Sequence, residues 1–205
     1  FHQHPFSRRQ LTELLFLMIR RPPRSTLILT LFPHTTLFRS GVLNFVYSEF
    51  DANDLLRELE GLFGMRLNEN PLVTLVCEAH LEPIMMHSEK QRIIQVLTNL
   101  LHNAMKFTKT GEIRFGCRME GTDEVYFYVS DTGIGIPKEE QEKIFSRFTK
   151  LDREMQGTGL GLTLSQTIVH NLGGRFGVES EVGKGSTFLF ILPLVTKKEI
   201  TNDKI

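Results

Sequence analysis

Apolar residues recur at helical spacing over residues 89 to 107, and this pattern predicts one long helix that ends at about Phe107. Ser88 followed by Gln91 has the spacing of a capping box, which satisfies two backbone amides of the first turn. The apolar stripe is broad enough to lie on a sheet. It consists of Ile93, Ile94, Val96, Leu97, Leu100, Leu101, Ala104 and Met105. We therefore expect this helix to be a major packing element.

Shorter patterns on both sides of the long helix predict the other elements. In chain order we expect a helix from Asp51 to about Asn68, a strand from Leu72 to Cys77, an irregular stretch to His87, the long helix, a hairpin of Gly111 to Met119 and Glu124 to Ser130, a short helix after Pro137, a helix from Leu162 to about Asn171, and strands from Phe176 to Ser180 and from Thr187 to Leu192. The pair Gly173-Gly174 is expected to end the last helix. The predicted fold class is α/β, a two-layer sandwich with a mixed β-sheet covered on one face by three helices.

The first forty residues differ in character from the rest of the chain. Met18 to Thr26 matches the translation of one reading frame of a common sequencing adapter, and Thr30 to Ser40 matches its continuation apart from His34. We therefore predict that residues 1 to 40 are non-native sequence, an adapter read-through or chimera, and do not belong to the fold. A genuine basic, proline-containing linker or a degenerate signal peptide is the alternative.

This exclusion changes the charge balance. The first forty residues contribute six arginines and one acidic residue, Glu13, so residues 41 to 205 hold 18 basic and 23 acidic side chains, a net charge of −5. A domain with this net negative charge gives no electrostatic reason to expect nucleic-acid binding. Cys77 and Cys117 lie in strand-like runs and are expected to be reduced core thiols of a cytoplasmic protein rather than a disulfide or a metal site.

Three polar side chains of the long helix share one face beside its apolar stripe. Asn99, Asn103 and Lys106 follow one another at intervals of four and three residues. Two carboxamide oxygens and an ammonium group on one face could hold a hydrated metal ion and a polyphosphate. Solvated polar residues would give the same spacing, so the helix alone leaves both interpretations open.

Glycine clusters occupy three element ends. One follows Asp131 at the end of a strand, one precedes the helix that begins near Leu162, and one joins the last two strands. Gly159 and Gly161 would allow backbone amides to approach a phosphate at a helix N-terminus. A carboxylate at Asp131 is costly in an apolar strand unless it is paired, and an adenine amino group is a suitable donor. The alternative for Asp131 is a capping role in the turn that contains Gly133.

Five segments, in this order, resemble the motifs of a known family. They are Asn99 to Thr108 (N box), Asp131 to Gly135 (first glycine box), Phe145 to Phe148 (F box), Gly157 to Leu162 (second glycine box) and Gly183 to Ser186 (third glycine box). Their order is that of the catalytic ATP-binding domain of sensor histidine kinases. The resemblance covers about residues 50 to 194 and implies the Bergerat fold of the gyrase, chaperone and histidine-kinase (GHKL) ATPases.

The resemblance also implies the site residues and the cofactors, ATP and Mg²⁺. Asn99, Asn103 and Lys106 would form the catalytic set, with Asn103 and Asn99 as ligands of Mg²⁺. Asp131 would accept a hydrogen bond from the adenine amino group. The implied ATP-binding residues are Asn103, Lys106, Phe107, Asp131, Gly133, Gly135, Phe148, Lys150, Gly157, Thr158, Gly159, Leu160, Gly161, Leu162, Ser186 and Thr187.

The same resemblance implies a mobile ATP lid over Thr149 to Gln156, anchored by Phe145 and Phe148, with Arg147 or Lys150 reaching the γ-phosphate. Ser186 or Thr187 would support the adenine side through a hydroxyl group or a water molecule. Asn99 stands where the related hydrolases carry a water-activating glutamate. An asparagine cannot take a proton at neutral pH, so the domain is expected to hold ATP for another nucleophile.

In sensor histidine kinases that nucleophile is a histidine on a preceding helical hairpin, and none of the seven histidines matches its setting. We therefore predict a kinase fragment whose own dimerisation and phosphoacceptor domain is missing. Residues 41 to 50 would be a linker remnant, residues 51 to 194 the ATP-binding catalytic domain and residues 195 to 205 a polar tail. This fragment is expected to bind ATP but not to autophosphorylate alone.

The expected partners are that missing domain, within a homodimeric parent protein, and the receiver domain of a response regulator. The domain is expected to be cytoplasmic, and attachment of the parent protein to the inner membrane stays open. Two alternatives are a stand-alone protein serine kinase of the same fold and a non-catalytic nucleotide-binding module. Intact Asn103, Lys106 and glycine boxes argue against the second alternative.

Overall fold

The structure, a computed structural model, describes residues 46–67, 71–141, 143–145 and 161–195. Four helices and seven strands follow one another in these ranges. They are β1 (Ser48–Asp51), α1 (Ala52–Leu67), β2 (Val73–Glu78), β3 (Met85–Ser88), α2 (Lys90–Phe107), β4 (Gly111–Glu120), β5 (Glu124–Asp131), α3 (Lys138–Gln141), α4 (Gly161–Asn171), β6 (Arg175–Glu181) and β7 (Gly185–Pro193). A 3₁₀ turn spans Lys143–Phe145. None of the described helices has the length and apolar character needed to span a membrane.

The main sheet has the strand order β2-β4-β5-β7-β6. β2 runs parallel to β4, whereas the other neighbouring strands are antiparallel, so the sheet is mixed. Helices α1, α2 and α4 contact its strands. The predicted fold class, a mixed sheet with three covering helices, is confirmed.

The core lies between α2 and the sheet. Most of the predicted α2 stripe is fully buried, whereas Ile94 and Met105 are half-buried. Phe115, Phe127 and Phe190 are the largest side chains of the sheet in this core, and the rings of Phe127 and Phe190 stack with 4.9 Å between their centroids. Each fully buried side chain of this size contributes about 1.5–3 kcal/mol relative to solvent exposure. The helix that carries the candidate site is therefore firmly held.

A second, two-stranded sheet was not expected from the sequence. β1 pairs antiparallel with β3, and Phe50 lies opposite Met86. β1 includes residues that the sequence assigned to a linker, and β3 lies in the stretch predicted to be irregular. Both strands are only four residues long, too short for a clear alternating pattern. The prediction of an irregular stretch up to His87 is therefore wrong for its last residues.

The start of α2 also differs from the predicted capping box. Ser88 is the buried last residue of β3, and the N-cap is Glu89, whose Oε2 accepts a hydrogen bond from the backbone N–H of Arg92 at 2.8 Å. Pairing of β3 with β1 extends the strand through Ser88, so the helix can begin only afterwards. Desolvation by burial raises the pKa of Glu89, while hydrogen bonds from backbone amides oppose the shift.

Other sequence expectations are met at the ends of elements. Asp51 closes β1 and accepts from the backbone N–H of Asn53 at 3.0 Å, as expected of a residue that starts a helix. Gly173 has φ +76°, and the N–H of Gly174 donates to the carbonyl oxygen of Val169, as in a glycine-ended helix.

The two cysteines lie in β2 and β4, and both are free thiols. Cys117 is buried, whereas Cys77 is half-buried. Desolvation by burial raises the pKa of Cys77 to about 11 and that of Cys117 to about 12. Both side chains are therefore protonated thiols near neutral pH, as expected of structural cysteines.

His102 joins α2 to α1. Its Nε2 lies 2.6 Å from Nη1 of Arg66, and its ring packs against Phe63 with 5.1 Å between the ring centroids. A guanidinium group can only donate, so Nε2 must accept and the ring is neutral. Desolvation of the ring, followed by the positive charge of Arg66, lowers the pKa of His102.

The substitution His102→Gln is expected to make folding less sensitive to acid. Because the folded state lowers the pKa of His102, the unfolded state binds more protons once the pH falls below about 6.5, and the free energy of unfolding decreases. Glutamine still offers an acceptor to Arg66 but does not titrate. Urea unfolding of both proteins at about pH 7.5 and about pH 5 should show a smaller loss of stability in the variant. An equal loss in both proteins would contradict this role of His102.

Candidate functional site

The site begins with the polar face of α2. Asn99 and Asn103 are half-buried, and Lys106 is exposed one turn further on. Nδ2 of Asn99 donates to Oγ of the buried Ser165 on α4 at 3.0 Å. This bond directs Oδ1 of Asn99 toward Gly161, where a Cβ atom would overlap that oxygen. Asn99 therefore links α2 to the first turn of α4.

The C-terminal end of α2 meets the loop after β5. Nζ of Lys106 lies 5.0 Å from the centroid of the half-buried Phe107 ring. At Gly133, an added Cβ would lie 2.6 Å from the carbonyl oxygen of Phe107, closer than a side chain can approach. The backbone of the first glycine box is thus packed directly on the end of the helix that carries the polar face.

Asp131 ends β5 beside this contact and is 8% exposed. Its Oδ1 accepts from the backbone N–H of Gly133 at 2.8 Å, so the turn role considered from the sequence is present. Desolvation raises the pKa of Asp131, and the backbone amides of Gly133 and Ser186 and the hydroxyl of Thr108 oppose this shift. A carboxylate accepts several hydrogen bonds, so Asp131 can stabilise the turn and still accept from a ligand.

The first and third glycine boxes pack on one another. Gly135 has φ +70°, and a Cβ there would overlap the backbone of Glu181 and crowd that of Val182. The N–H of Gly183 donates to the carbonyl oxygen of Ile134 at 2.8 Å. The turn between β6 and β7 therefore supports the loop that follows Asp131.

Strand register decides which hydroxyl group lies beside Asp131. Ser186 is the partner of Asp131 across β5 and β7, whereas Thr187 is the partner of Ser130. Alternate residues of a strand point to opposite faces. Oγ1 of Thr187 lies 2.8 Å from Oγ of Ser130, on the sheet face opposite Asp131. The structure thus brings Ser186 to the site and leaves Thr187 outside it.

Of the two residues predicted to anchor the lid, Phe145 lies within the described part of the chain. Phe145 packs edge-on against Phe176 with 5.7 Å between ring centroids, and its carbonyl oxygen accepts from Oγ1 of Thr163 at 2.9 Å. Gly161 and Leu162 are half-buried at the start of α4. The other predicted residues of this region lie outside the described residues: Arg147, Phe148, Lys150, Gly157, Thr158, Gly159 and Leu160.

Four polar residues that the sequence analysis did not single out support the site. Ser165 holds Asn99, and Gln141 donates from Nε2 to the carbonyl oxygens of Ile136 and Ser180, both at 2.9 Å. Oγ of Ser180 contacts three groups around the glycine boxes. Thr108 is 2% exposed; its hydroxyl opposes the rise in the pKa of Asp131, although it meets the geometry of a hydrogen bond with none of the described residues. Ser165 could have been recognised in the sequence as a polar residue within an apolar helix. The sequence held no such signal for Gln141, Ser180 or Thr108.

The site therefore has two ends along one helix. A carboxylate, an aromatic ring and closely packed glycine backbone surround the C-terminal end of α2, whereas two carboxamides and an ammonium group line its polar face. Phe107 lies eight positions after Asn99, which is about 12 Å along the helix axis. An elongated ligand with a hydrogen-bonding planar group at one end and negative charge at the other would match this arrangement.

Comparison with known proteins shows which family the chain is similar to. Residues 88–196 match the family described as histidine kinase-, DNA gyrase B-, and HSP90-like ATPase. The chain is 42% identical over 157 residues to the sensor histidine kinase AruS of Pseudomonas aeruginosa, a match that covers 71% of this chain and 15% of AruS. It is 34% identical over 165 residues to the aerobic respiration control sensor protein ArcB of Escherichia coli, covering 75% of this chain and 20% of ArcB.

Solved structures show the same likeness. The catalytic domain of histidine kinase ThkA superposes with a TM-score of 0.64 at 32% identity, covering 74% of this chain and 98% of that domain. Full-length ShkA in complex with AMPPNP superposes with a TM-score of 0.68 at 28% identity, covering 80% of this chain and 34% of ShkA. The chain thus belongs to the family of histidine kinase-, DNA gyrase B-, and HSP90-like ATPases and contains the ATP-binding catalytic domain of a sensor histidine kinase.

Proposed function

We propose that this domain binds Mg-ATP and transfers the γ-phosphoryl group to a histidine on a dimerisation hairpin, from which a response regulator receives it. Two features of α2 support the proposal: at its C-terminal end, Gly133 lies close to both the Asp131 carboxylate and the backbone of Phe107, and further back on its polar face, Asn99 is hydrogen-bonded to α4. AMPPNP, an ATP analogue, occupies the related ShkA structure.

The adenine end would be formed by Asp131 and Phe107. A buried carboxylate without a full set of partners is costly, and the amino group of adenine would supply a donor. The ring of Phe107 would lie against the base, and the loop at Gly133 packs against the carbonyl oxygen of Phe107. Lys106, next to Phe107, would direct its ammonium group to phosphate.

The phosphate end would lie between α2 and the start of α4. A helix N-terminus favours negative charge through its free N–H groups and its dipole, and α4 has the length to provide it. The carboxamides of Asn103 and Asn99 offer the hard oxygen donors that Mg²⁺ prefers, completed by phosphate and water. When bound, Mg²⁺ would neutralise charge on the phosphates.

Asn99 supports transfer to a protein group rather than hydrolysis. Its carboxamide is held by Ser165 and cannot act as a general base at neutral pH. The chain's own contribution would therefore be to position the phosphates and to neutralise their charge through Lys106. ATP would then persist until a histidine side chain is presented in line with the γ-phosphorus.

The chain spans 15% of AruS and 20% of ArcB, so the activity of the whole protein is part of the proposal. The phosphoacceptor hairpin, a homodimeric parent protein and a response-regulator partner belong to the proposal. The predicted domain limits and the foreign origin of residues 1 to 40 also belong to the proposal. Sequencing the native locus upstream of codon 41 tests that origin, because adapter-encoded residues would be absent from it.

The experiment is a transfer assay with the purified chain. Calorimetry should first show Mg-ATP binding, and Asn103→Ala should lose most of the gain in affinity that Mg²⁺ provides. Asn171→Ala, at the exposed end of α4, is the matched control and should bind as the parent chain does. A histidine-containing hairpin domain is then supplied with radiolabelled ATP.

Label on the hairpin that is lost in acid but stable in base would identify phosphohistidine. Acid-stable phosphoserine would instead support a serine kinase, and ATP binding without any transfer would support a non-catalytic module. Failure of the chain to bind Mg-ATP would overturn the proposal itself.

A further inference from the structure

The hydroxyl group of Ser180 connects the residue that follows the first glycine box with the third glycine box. Ser180 lies in β6, where it is the register partner of Ser186 on β7, which in turn is the partner of Asp131 on β5. These three residues form a row across the sheet on the face that the helices cover. Oγ of Ser180 lies 2.8 Å from the backbone nitrogen of Ile136, 2.9 Å from the carbonyl oxygen of Gly185 and 2.9 Å from Oγ of Ser186.

The number of protons on these groups fixes the direction of each bond. A serine hydroxyl has one proton to donate and two lone pairs. The backbone N–H of Ile136 can only donate to Ser180, and the carbonyl oxygen of Gly185 can only accept from it. Ser180 therefore has no second proton for Ser186, so Ser186 is the donor in the contact between the two hydroxyls.

This assignment determines what Ser186 offers to a ligand. Because its proton is used by Ser180, Ser186 presents only lone pairs beside the Asp131 carboxylate. Two acceptors side by side suit an exocyclic amino group, which brings two N–H donors. They disfavour a keto oxygen at the same position, because it would meet lone pairs only.

We infer that Ser180 is a positioning residue that orients the Ser186 hydroxyl as an acceptor, so that the site selects a 6-aminopurine over a 6-oxopurine nucleotide. The inference rests on the proposed function, because it assumes that the base lies against Asp131. Ser180 touches no ligand in this account; it acts through Ser186 and through the backbone of Ile136.

The test compares ATP with inosine triphosphate, which differs at the 6-position of the base and at the adjoining N1. Calorimetry with Mg²⁺ measures both affinities for the parent chain and for Ser180→Ala, which leaves the Ser186 hydroxyl free to rotate and donate. We expect Ser180→Ala to bind ATP about fivefold more weakly, the effect of one hydrogen bond. The preference for ATP over inosine triphosphate should narrow by about the same factor. Ser180→Thr retains a hydroxyl group and should restore both values.

Ser130→Ala is the matched control. Ser130 also makes a hydroxyl–hydroxyl contact, at 2.8 Å with Thr187, in the next register row but on the opposite face of the sheet. This variant should leave both affinities unchanged. Thermal melting of all variants shows whether they fold. If Ser180→Ala does not fold, Ser186→Ala takes its place, and the preference for ATP over inosine triphosphate should narrow by the same factor.

Two results would overturn the inference. One is a Ser180→Ala variant that binds both nucleotides like Ser130→Ala. The other is an equal weakening for ATP and inosine triphosphate, because a merely structural role would leave their ratio unchanged. A parent chain that binds neither nucleotide would count against the proposed function itself, which separates the two failures.

Discussion

Replacement of Asp131 by asparagine is expected to weaken Mg-ATP binding by about 1–3 kcal/mol, a factor of about 5 to 150. Asparagine has nearly the same shape, and its Oδ1 can still accept from the N–H of Gly133, so the turn should persist. The second oxygen becomes an NH₂ group, which would face the amino group of adenine. The mismatch leaves donors unpaired in a buried place, and calorimetry measures the loss directly.

Asp123→Asn is the control for this experiment, because Asp123 is an exposed residue of the β4–β5 turn. This variant should bind Mg-ATP with the same affinity as the parent chain. If Asp131→Asn also binds ATP with unchanged affinity, Asp131 does not belong to the site.

The pH dependence of binding offers a second readout for Asp131. Burial raises the pKa of its carboxyl group, so protonation begins at a higher pH than for an exposed aspartate. Base recognition needs the ionised acceptor, and affinity should therefore fall as the pH is lowered through that raised pKa. The stability effect has the opposite sign: protonation of Asp131 relieves a desolvation cost in the folded state as the pH falls. Asp131→Asn should lack this contribution to both curves.

The second large effect is expected from Gly185→Ala. Gly185 has φ +107°, and a Cβ there would overlap the carbonyl oxygen of Asp131 and crowd Thr132. These are backbone atoms at the end of β5 and in the turn after it, so they cannot move aside as a side chain would. We expect a loss of roughly 3–5 kcal/mol in the free energy of unfolding, in the range of severe single substitutions, together with loss of ATP binding.

Gly183→Ala, in the same turn, distinguishes the cost of steric overlap from the cost of an unfavourable backbone conformation. Gly183 has φ +79°, but an added Cβ would meet no heavy atom within 4 Å. The cost should be only the conformational one, about 1–2 kcal/mol. Urea unfolding measures the midpoint for each variant. The midpoints compare the stabilities directly when the free energy of unfolding has the same slope against urea concentration in both variants. Equal stability of the two variants would show that the close approach at Gly185 is not important.

The two predictions concern one structural feature, the contact of the third glycine box with the end of β5. Gly185 allows β7 to begin against the backbone of Asp131, and the next residue, Ser186, is then in register beside the carboxylate. A disturbance here would affect stability and nucleotide binding together. Asp131→Asn preserves the shape of the side chain, so its loss of nucleotide binding should come without the large loss of stability expected of Gly185→Ala, and this contrast distinguishes the two mechanisms.

The sequence by itself determined the helices, the hairpin and the glycine boxes, because these depend on short-range properties. The stripe on α2 repeats with the period of a helix, so its buried side could be read from eight apolar residues. Gly173 ends α4 through a left-handed conformation that glycine adopts without strain. Helical spacing placed Asn99 and Lys106 on α2, and the end of an alternating strand pattern placed Asp131 at the end of β5, as the structure has them.

Only the tertiary structure decided the features that depend on register and on distant partners. Pairing of β1 with β3 joins residues far apart in the chain, and it moved the cap of α2 from Ser88 to Glu89. Whether Ser186 or Thr187 faces the site could not be known in advance, because neighbouring strand residues point to opposite faces. The register of β5 against β7 selects Ser186, and the register of β7 against β6 brings Ser180 beside it.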